Sequence, residues 1–201
     1  MVGDGQTLKR GFRHPALESQ RAFRALMQAW ACPGSRAAFD DVDTPDGWNI
    51  ASAVIALTLC DGDTPVWLSA RAAGASDWLK FHCGSQIVDA GAIKRAQFAV
   101  CHVSDTPELQ SFNLGTATSP EDGATLILMS DEQPSDGPAV TLAGPGIETT
   151  TTLDAFSLPD GVWAQRALLA RLYPAGLDFI LTDGADAVCI PRTCRVQWEQ
   201  N

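Results

Sequence analysis

Residues 174–196, PAGLDFILTDGADAVCIPRTCRV, constrain the fold of this chain more than any other stretch. Two apolar runs flank the dipeptide Asp183-Gly184, which readily accepts the positive φ angles of a tight turn, so the pattern predicts a β-hairpin. The first run is apolar on both faces, which favours a strand inside a sheet that is covered on both sides. Pro191 cannot donate a hydrogen bond to a strand ladder and should end the second strand.

A single domain is expected from the size and composition of the chain. Of its 201 residues, 45% are hydrophobic, which is enough for a substantial core. Residues 1–13 show no periodicity and should form a loose lead-in to a domain that spans 14–201. The 24 acidic residues outnumber the 14 Lys and Arg, giving a formal net charge of -10. Such a surface repels nucleic acid and anionic membranes, so we expect neither as a partner.

The sequence also predicts a cytoplasmic protein with reduced thiols. Its longest weakly polar run, residues 50–60, falls well short of the ~20 residues that cross a bilayer. The N-terminus lacks the apolar core of a signal peptide. Because thiols stay reduced in the cytoplasm, we expect all six cysteines to be free.

Helical and strand patterns alternate along the chain. The clearest amphipathic helix begins at Pro15 and stops at Cys32, and its apolar stripe consists of Ala16, Phe23, Leu26, Met27 and Trp30. Further helices are predicted at 48–59, 77–82 and 162–172, and further strands at 36–39, 65–69, 97–103, 125–129 and 139–143. The last two of these strands should form a second hairpin around the turn DEQPSDGP. This order predicts an α/β fold, a mixed β-sheet with helices on both faces.

No strong catalytic motif is present. The chain has no GxxxxGK[ST] phosphate loop, no GxSxG elbow, no HExxH and no CxxC pair. The segment Gly144-Pro145-Gly146 lacks the third glycine of a dinucleotide loop, and we interpret it as a turn that ends a strand.

Two adjacent pairs, His82-Cys83 and Cys101-His102, contain residue types that bind zinc or activate a thiol. Neighbouring residues on a helix or strand point in different directions, so neither pair forms a site by itself. We therefore interpret both as structural and expect no metal.

A pyridoxal phosphate enzyme requires a lysine for its Schiff base and a cup for the phosphate. The lysines are Lys9 in the lead-in, Lys94 in a loop and Lys80 in a short helix, and none has a convincing setting. We expect no cofactor.

Arg192 and Arg36 are the basic residues of most interest. Each lies at the edge of an apolar element, and the guanidinium fork of arginine suits phosphates and carboxylates. The alternative for each is a surface salt bridge with one of the many acids. The candidate contacts with a ligand or partner are Arg192, Thr193, Gly115, Thr116, Arg36 and His82.

Six ordered blocks between residues 11 and 196 carry a resemblance to a known family. They are SQRAFRALMQAWACPGS, LTLCDGDTPVWLS, WLKFHCGSQIV, LGTATSPEDGATLIL, LAGPGIE and PAGLDFILTDGADAVCIPRTCRV. Together they are similar to the PhnH subunit family of the bacterial carbon-phosphorus lyase system. The chain departs from the family at Cys194, where a threonine is usual, and at His14, where an acid is frequent.

The resemblance implies a subunit of the assembly that lets bacteria use phosphonates as a phosphorus source. In that system PhnG, PhnH and PhnL act with PhnI to replace the adenine of ATP by a phosphonate, giving a ribose 1-phosphonate 5-triphosphate. PhnJ later breaks the carbon-phosphorus bond. The resemblance also implies a fold like a reduced pyridoxal-phosphate transferase domain without the cofactor, a homodimer in isolation, and a position beside PhnJ in a core complex with PhnG and PhnI.

The family has no established catalytic residues, so the resemblance implies a subunit without a catalytic site of its own. The alternative reading is a small-molecule or nucleotide-phosphate binding module, or an enzyme, that acts through a basic pocket around Arg192. A pocket shared by Arg192 and His82 would favour this alternative. An exposed apolar patch would favour the subunit.

Overall fold

The computed structural model describes residues 8–130, 140–153 and 158–198. Within these ranges the α-helices are α1 (Pro15–Ala31), α2 (Ile50–Leu59), α3 (Ser76–Cys83) and α4 (Asp160–Leu169). The strands are β1 (Arg36–Ala38), β2 (Val66–Leu68), β3 (Phe98–His102), β4 (Thr125–Met129), β5 (Val140–Ala143), β6 (Thr151–Leu153), β7 (Asp178–Asp183), β8 (Asp186–Ile190) and β9 (Arg195–Trp198). No helix in the described ranges is long and apolar enough to cross a membrane.

Six strands form the main sheet in the order β1-β8-β7-β4-β3-β2. The four strands β2, β3, β4 and β7 are parallel, whereas β8 and β1 are antiparallel to their neighbours. A second, antiparallel sheet has the order β6-β5-β9. The predicted mixed α/β architecture is therefore confirmed.

Both faces of the main sheet are covered. Helices α1, α2 and α3 pack on one face, where Ile180 of β7 is buried among their side chains. Helix α4 and the small sheet cover the other face, where Phe179 and Leu181 of the same strand are buried. The apolar character of β7 on both faces follows from this position, as the sequence predicts.

The β7–β8 hairpin forms, but its turn is one residue later than predicted. Asp183 pairs with Asp186, so the turn is Gly184-Ala185 and not Asp183-Gly184. Gly184 has a φ of 54°, and no other kind of residue in the described ranges has a positive φ. Glycine at the first turn position alone is typical of a type II′ turn, which also matches the twist of the two strands.

The predicted second hairpin is wrong. Its turn, 131–138, lies outside the described residues, but β4 is flanked by β3 and β7, and β5 pairs with β6 and β9 in the small sheet. Because β4 is buried and has a parallel partner on each side, no place next to it is left for β5. β4 and β5 therefore belong to different sheets.

The apolar stripe predicted on α1 is also partly wrong. Phe23 and Met27 are 48% and 52% exposed, whereas Ala22, Leu26 and Ala29 form the buried face. Small side chains let α1 approach α2 and the β1–β8 edge of the sheet closely. The larger apolar residues consequently lie on the outer surface of the helix.

The turn Gly144-Pro145-Gly146 ends β5, as predicted, and also closes the C-terminus of α1. Gly146 has a φ of 84°, and a Cβ built on it would collide with the carbonyl oxygen of Ala31. Only glycine allows the backbone to approach the helix end this closely.

Replacing Gly146 by alanine is therefore expected to lower the free energy of unfolding by about 2–3 kcal/mol, from the positive φ and the collision with backbone. Gly161, in the first turn of α4, is the matched control, because a Cβ there meets nothing within 4 Å. Alanine at Gly161 should be neutral or slightly stabilising. Urea denaturation of both variants tests this, and equal effects at the two positions would contradict it.

Candidate functional site

The candidate site lies where β8 leaves the main sheet. Pro191 ends β8, and the segment Pro191–Cys194, called the tip below, closes with a hydrogen bond from Cys194 N to Pro191 O of 2.9 Å. β9 begins at the next residue and enters the small sheet. The tip therefore connects the two sheets, which fixes it between rigid elements.

Arg192, which the sequence analysis places at the edge of an apolar element, is held in the structure by other groups of the protein. Its Nε and Nη2 donate to Asp178 Oδ2 at 3.0 and 2.5 Å, and its backbone N donates to Asp178 Oδ1 at 2.6 Å. Nη2 also donates to Gly123 O at 3.2 Å, and Nη1 donates to Pro120 O. With its side chain only 14% exposed, Arg192 clamps the tip to β7 and to the loop before β4.

Gly123 makes room for this clamp. A Cβ on Gly123 would collide with Gly176 O and lie 2.5 Å from Arg192 Nη1. The loop that contains Gly115 and Thr116 is brought to the same side of the protein by the bonds from Arg192 to its later residues.

Gly115 and Thr116 themselves build the loop. Gly115 has a φ of 69° and donates its N–H to Asn113 Oδ1 at 3.0 Å. Thr116 Oγ1 accepts from Ser119 N at 2.9 Å, and Thr116 N donates to Ser119 O at 3.1 Å. These polar groups are therefore used within the loop.

The structure does not bring Arg36 or His82 to the tip. Arg36 pairs with Asp186 at 3.3 Å on the exposed sheet edge. His82, on α3, is hydrogen-bonded through Nε2 to Lys9 O at 3.0 Å, and Trp78 Nε1 donates to the same oxygen at 3.0 Å. Together these side chains anchor the chain before α1. His82 lines neither of the cavities that Arg192 lines.

Arg166 is a buried cation that the sequence analysis missed. It is 1% exposed, and its Nη2 donates to Pro191 O at 2.7 Å. Its guanidinium carbon lies 5.2 Å from the centre of the Phe179 ring. Burial lowers the pKa of Arg166 to about 10, and Asp178 opposes that shift, so the group stays charged at neutral pH. Nothing in an amphipathic helix pattern distinguishes this arginine from a solvated one.

Two adjoining cavities flank the tip. The first, of about 530 Å³, lies between the end of α1 and the tip and is lined by Trp30, Glu121, Pro174 and Asp178 among others. The second, of about 390 Å³, lies on the side of β9 and is lined by Arg195. Both share Pro145, Tyr173, Arg192 and Thr193 as walls.

An exposed apolar surface meets the first cavity from two sides. Trp30, at the end of α1, lines the cavity. Met27 lies one turn and Phe23 two turns before Trp30, on the same outer face of the helix. From the other side come Leu168, Leu172 and Tyr173, of which Tyr173 is 63% exposed. The apolar surface, as we call these six residues, is large for side chains left in water.

The members of the two cysteine–histidine pairs are held by the surrounding protein. Cys101 is buried in the core under α4, whereas the ring of His102 accepts from Ser104 N at 3.2 Å and contacts Arg71 Nη1 at 3.0 Å. Burial raises the pKa of Cys83 to about 11, and the negative charge of Asp61 adds to the rise. Among the residues that the structure describes, no three His, Cys, Asp or Glu side chains are grouped as a metal site.

Comparison with known proteins identifies relatives along nearly the whole chain. The sequence model of the family described as bacterial phosphonate metabolism protein (PhnH) matches residues 10–197. The subunit PhnH of alpha-D-ribose 1-methylphosphonate 5-triphosphate synthase from Rhizobium meliloti (strain 1021) is 32% identical over 202 residues, covering 99% of this chain and 100% of that protein. The putative C-P lyase subunit protein HtxG from Stutzerimonas stutzeri is 30% identical over 181 residues, covering 90% of this chain and 87% of that protein.

Proposed function

The chain belongs to the PhnH family of bacterial phosphonate metabolism proteins, and on that basis we propose that it is a subunit of a carbon-phosphorus lyase complex. In this role it takes part in forming a ribose 1-phosphonate 5-triphosphate from ATP and a phosphonate, while the catalytic groups reside on other subunits. Both curated relatives are named as subunits of such systems.

The apolar surface is the observation that carries this proposal. Its members Phe23, Met27, Leu168, Leu172 and Tyr173 are each between 48% and 63% exposed. Burial of apolar area is worth roughly 25 cal/mol per Å². A surface of this kind fits a stable contact with another protein better than it fits a monomer in water.

The partners we propose are the PhnG, PhnI and PhnJ counterparts, with PhnJ as the direct neighbour. In the absence of those subunits, we propose that two copies of this chain form a homodimer. The resemblance to the family supports both assignments.

We further propose that the fold is a reduced form of the pyridoxal-phosphate transferase fold without its cofactor. The lysines do not fit a Schiff base, because Lys9, Lys80 and Lys94 are all exposed. Lys9 lies 3.7 Å from Asp46, and Lys80 lies 3.4 Å from Asp77. A Schiff-base lysine has to be enclosed with its cofactor, and none of these is.

The proposed compartment is the cytoplasm. All six cysteines, which lie in the described ranges, are free, in agreement with the sequence analysis. Free thiols in this number suit a reducing compartment.

A reconstitution experiment tests the assembly. Mixed with its purified PhnG, PhnI and PhnJ counterparts, the protein is expected to co-elute with them in size-exclusion chromatography. The variant Met27→Glu, alone or with Tyr173→Glu, should lose this co-elution, because a carboxylate would be buried in an apolar contact.

Phe81→Glu is the matched control, since Phe81 is 71% exposed but lies on α3, away from the apolar surface. It should co-elute as the wild type does. Failure of the wild-type protein to join the complex would contradict the proposed function. If the Met27→Glu, Tyr173→Glu double variant assembles normally, the apolar surface is not the contact with the other subunits.

A further inference from the structure

The cavity beside β9 has an unusual charge for this protein. Its ionisable lining groups are Arg192 and Arg195 with the phenol of Tyr173 and the thiol of Cys194, and no carboxylate is among its described lining residues. The chain as a whole has a formal net charge of -10. A cavity lined by one sign of charge concentrates ions of the other sign, even when the rest of the surface repels them.

A third arginine adds to this field. Arg166 is buried, donates to Pro191 O on the inner side of the tip and stays charged at neutral pH. Of the three arginines around the tip, Arg166, Arg192 and Arg195, only Arg192 is paired with a carboxylate among the described residues, that of Asp178. Together, these three arginines and Asp178 have an excess of two positive charges, which a dianion would balance.

Arg195 is the cation of the three that faces a ligand. It is exposed, and within the described ranges its guanidinium makes no hydrogen bond or ion pair. Its backbone is fixed because Arg195 pairs with Ala143 at the start of β9. Arg192, in contrast, uses its Nε, Nη1 and Nη2 on Asp178, Pro120 O and Gly123 O.

The remaining polar walls are neutral. Thr193 and Tyr173 contribute hydroxyl groups, and the Tyr173 side chain is largely exposed. Burial raises the pKa of the Cys194 thiol, although Arg166 and a hydrogen bond from Thr193 oppose the rise. A neutral thiol adds no negative charge that would repel an anion. The cavity therefore offers one unpaired guanidinium and hydroxyl donors around it.

From this arrangement we propose that the cavity beside β9 binds a dianionic oxyanion of the phosphate or phosphonate class, with Arg195 as the contacting cation. Its volume of about 390 Å³ leaves room for the part of a larger molecule that carries the anionic group. The fixed pairing of Arg192 with Asp178 holds the tip in place for this contact. The proposal concerns the isolated chain and does not depend on its assembly with other subunits.

Titration calorimetry of the isolated protein with inorganic phosphate, methylphosphonate and acetate tests the site. Phosphate or methylphosphonate should bind, acetate should bind more weakly because it carries a single charge, and added sodium chloride should weaken all binding. The ratio of the two affinities shows whether the cavity prefers phosphate or a phosphonate.

The variant Arg195→Gln should weaken oxyanion binding at least about tenfold, because it removes a charge-assisted contact. Arg95→Gln, at another exposed arginine, makes the same change in net charge and should alter the affinity less than about twofold. Thermal unfolding of both variants establishes that they are folded. Equal weakening by the two variants, or no binding of either dianion at millimolar concentration, would overturn the proposal.

Discussion

Replacing Asp178 by alanine is expected to lower the free energy of unfolding by about 3–5 kcal/mol, because the change leaves partly buried guanidinium groups without a carboxylate. The Arg192–Asp178 pair is 2.5 Å long, and each side chain is 14% exposed. Asp178 also accepts the backbone N–H of Arg192 at 2.6 Å, so the substitution frees the tip as well. Urea denaturation at neutral pH measures the effect.

Asp186 supplies the matched control for this prediction. It too pairs with an arginine, Arg36, at 3.3 Å, but the two side chains are 36% and 52% exposed. Exposed pairs of this kind contribute about 0–1 kcal/mol, so Asp186→Ala should have little effect. If the two alanine variants lose the same stability, the clamp is not the element that holds the tip.

A double variant separates charge from packing. In Asp178→Ala with Arg192→Met, no unpaired guanidinium is left at position 192, and part of the lost stability should return. A double variant that is less stable than Asp178→Ala alone would show that the arginine contributes mainly through its backbone acceptors.

The parts of the fold that the sequence predicted are those with local signals. The β7–β8 hairpin has its own turn glycine and a proline that ends it, and the structure moves the turn by a single residue. The pairing of β5 had no such signal, because the choice between β4 and a second sheet depends on neighbours far away in the chain. The exposed face of α1 was mispredicted for a related reason: an apolar stripe marks a face that avoids water, and a partner protein can cover it as well as a core can.

In the candidate site, too, the residues with a local sequence signal were predicted, and those that depend on distant parts of the chain were not. Arg192 and Thr193 were placed at the end of a buried strand by Pro191, and the structure brings both to the walls of the two cavities. The role of Arg192 depends on Asp178, a residue fourteen positions earlier whose carboxylate reaches it only through the β7–β8 hairpin. No spacing rule links Arg166 or Arg195 to that pair, so the charge of the cavity appears only after the chain has folded.

The stability of the protein is expected to fall steeply as the pH rises from 9 to 10. Burial is the main cause that raises the pKa of the thiols of Cys60, Cys101 and Cys189 above their ordinary value of 9.0. In the unfolded chain these thiols ionise near that value, whereas the folded protein keeps them protonated. The folded state then binds more protons than the unfolded state, and the free energy of unfolding falls by about 1 kcal/mol for each such thiol between pH 9 and 10, because the unfolded thiol goes from about half to about nine-tenths ionised over that range.

Urea denaturation at pH 8, 9 and 10 with a reducing agent measures this slope. The variant Cys189→Ala should be less stable at pH 8, since it removes a buried side chain, but between pH 8 and pH 10 its free energy of unfolding should fall by about 1.4 kcal/mol less than that of the wild type. The comparison of slopes therefore does not depend on the lower starting stability of the variant. Arg166, with its pKa lowered to about 10, begins to lose its charge in the folded state near the upper end of this window and changes the slope in the opposite sense, but it does so in the wild type and in the variant alike. An unchanged slope in the variant would mean that Cys189 ionises as readily in the folded protein as in the unfolded chain, which its full burial on β8 argues against.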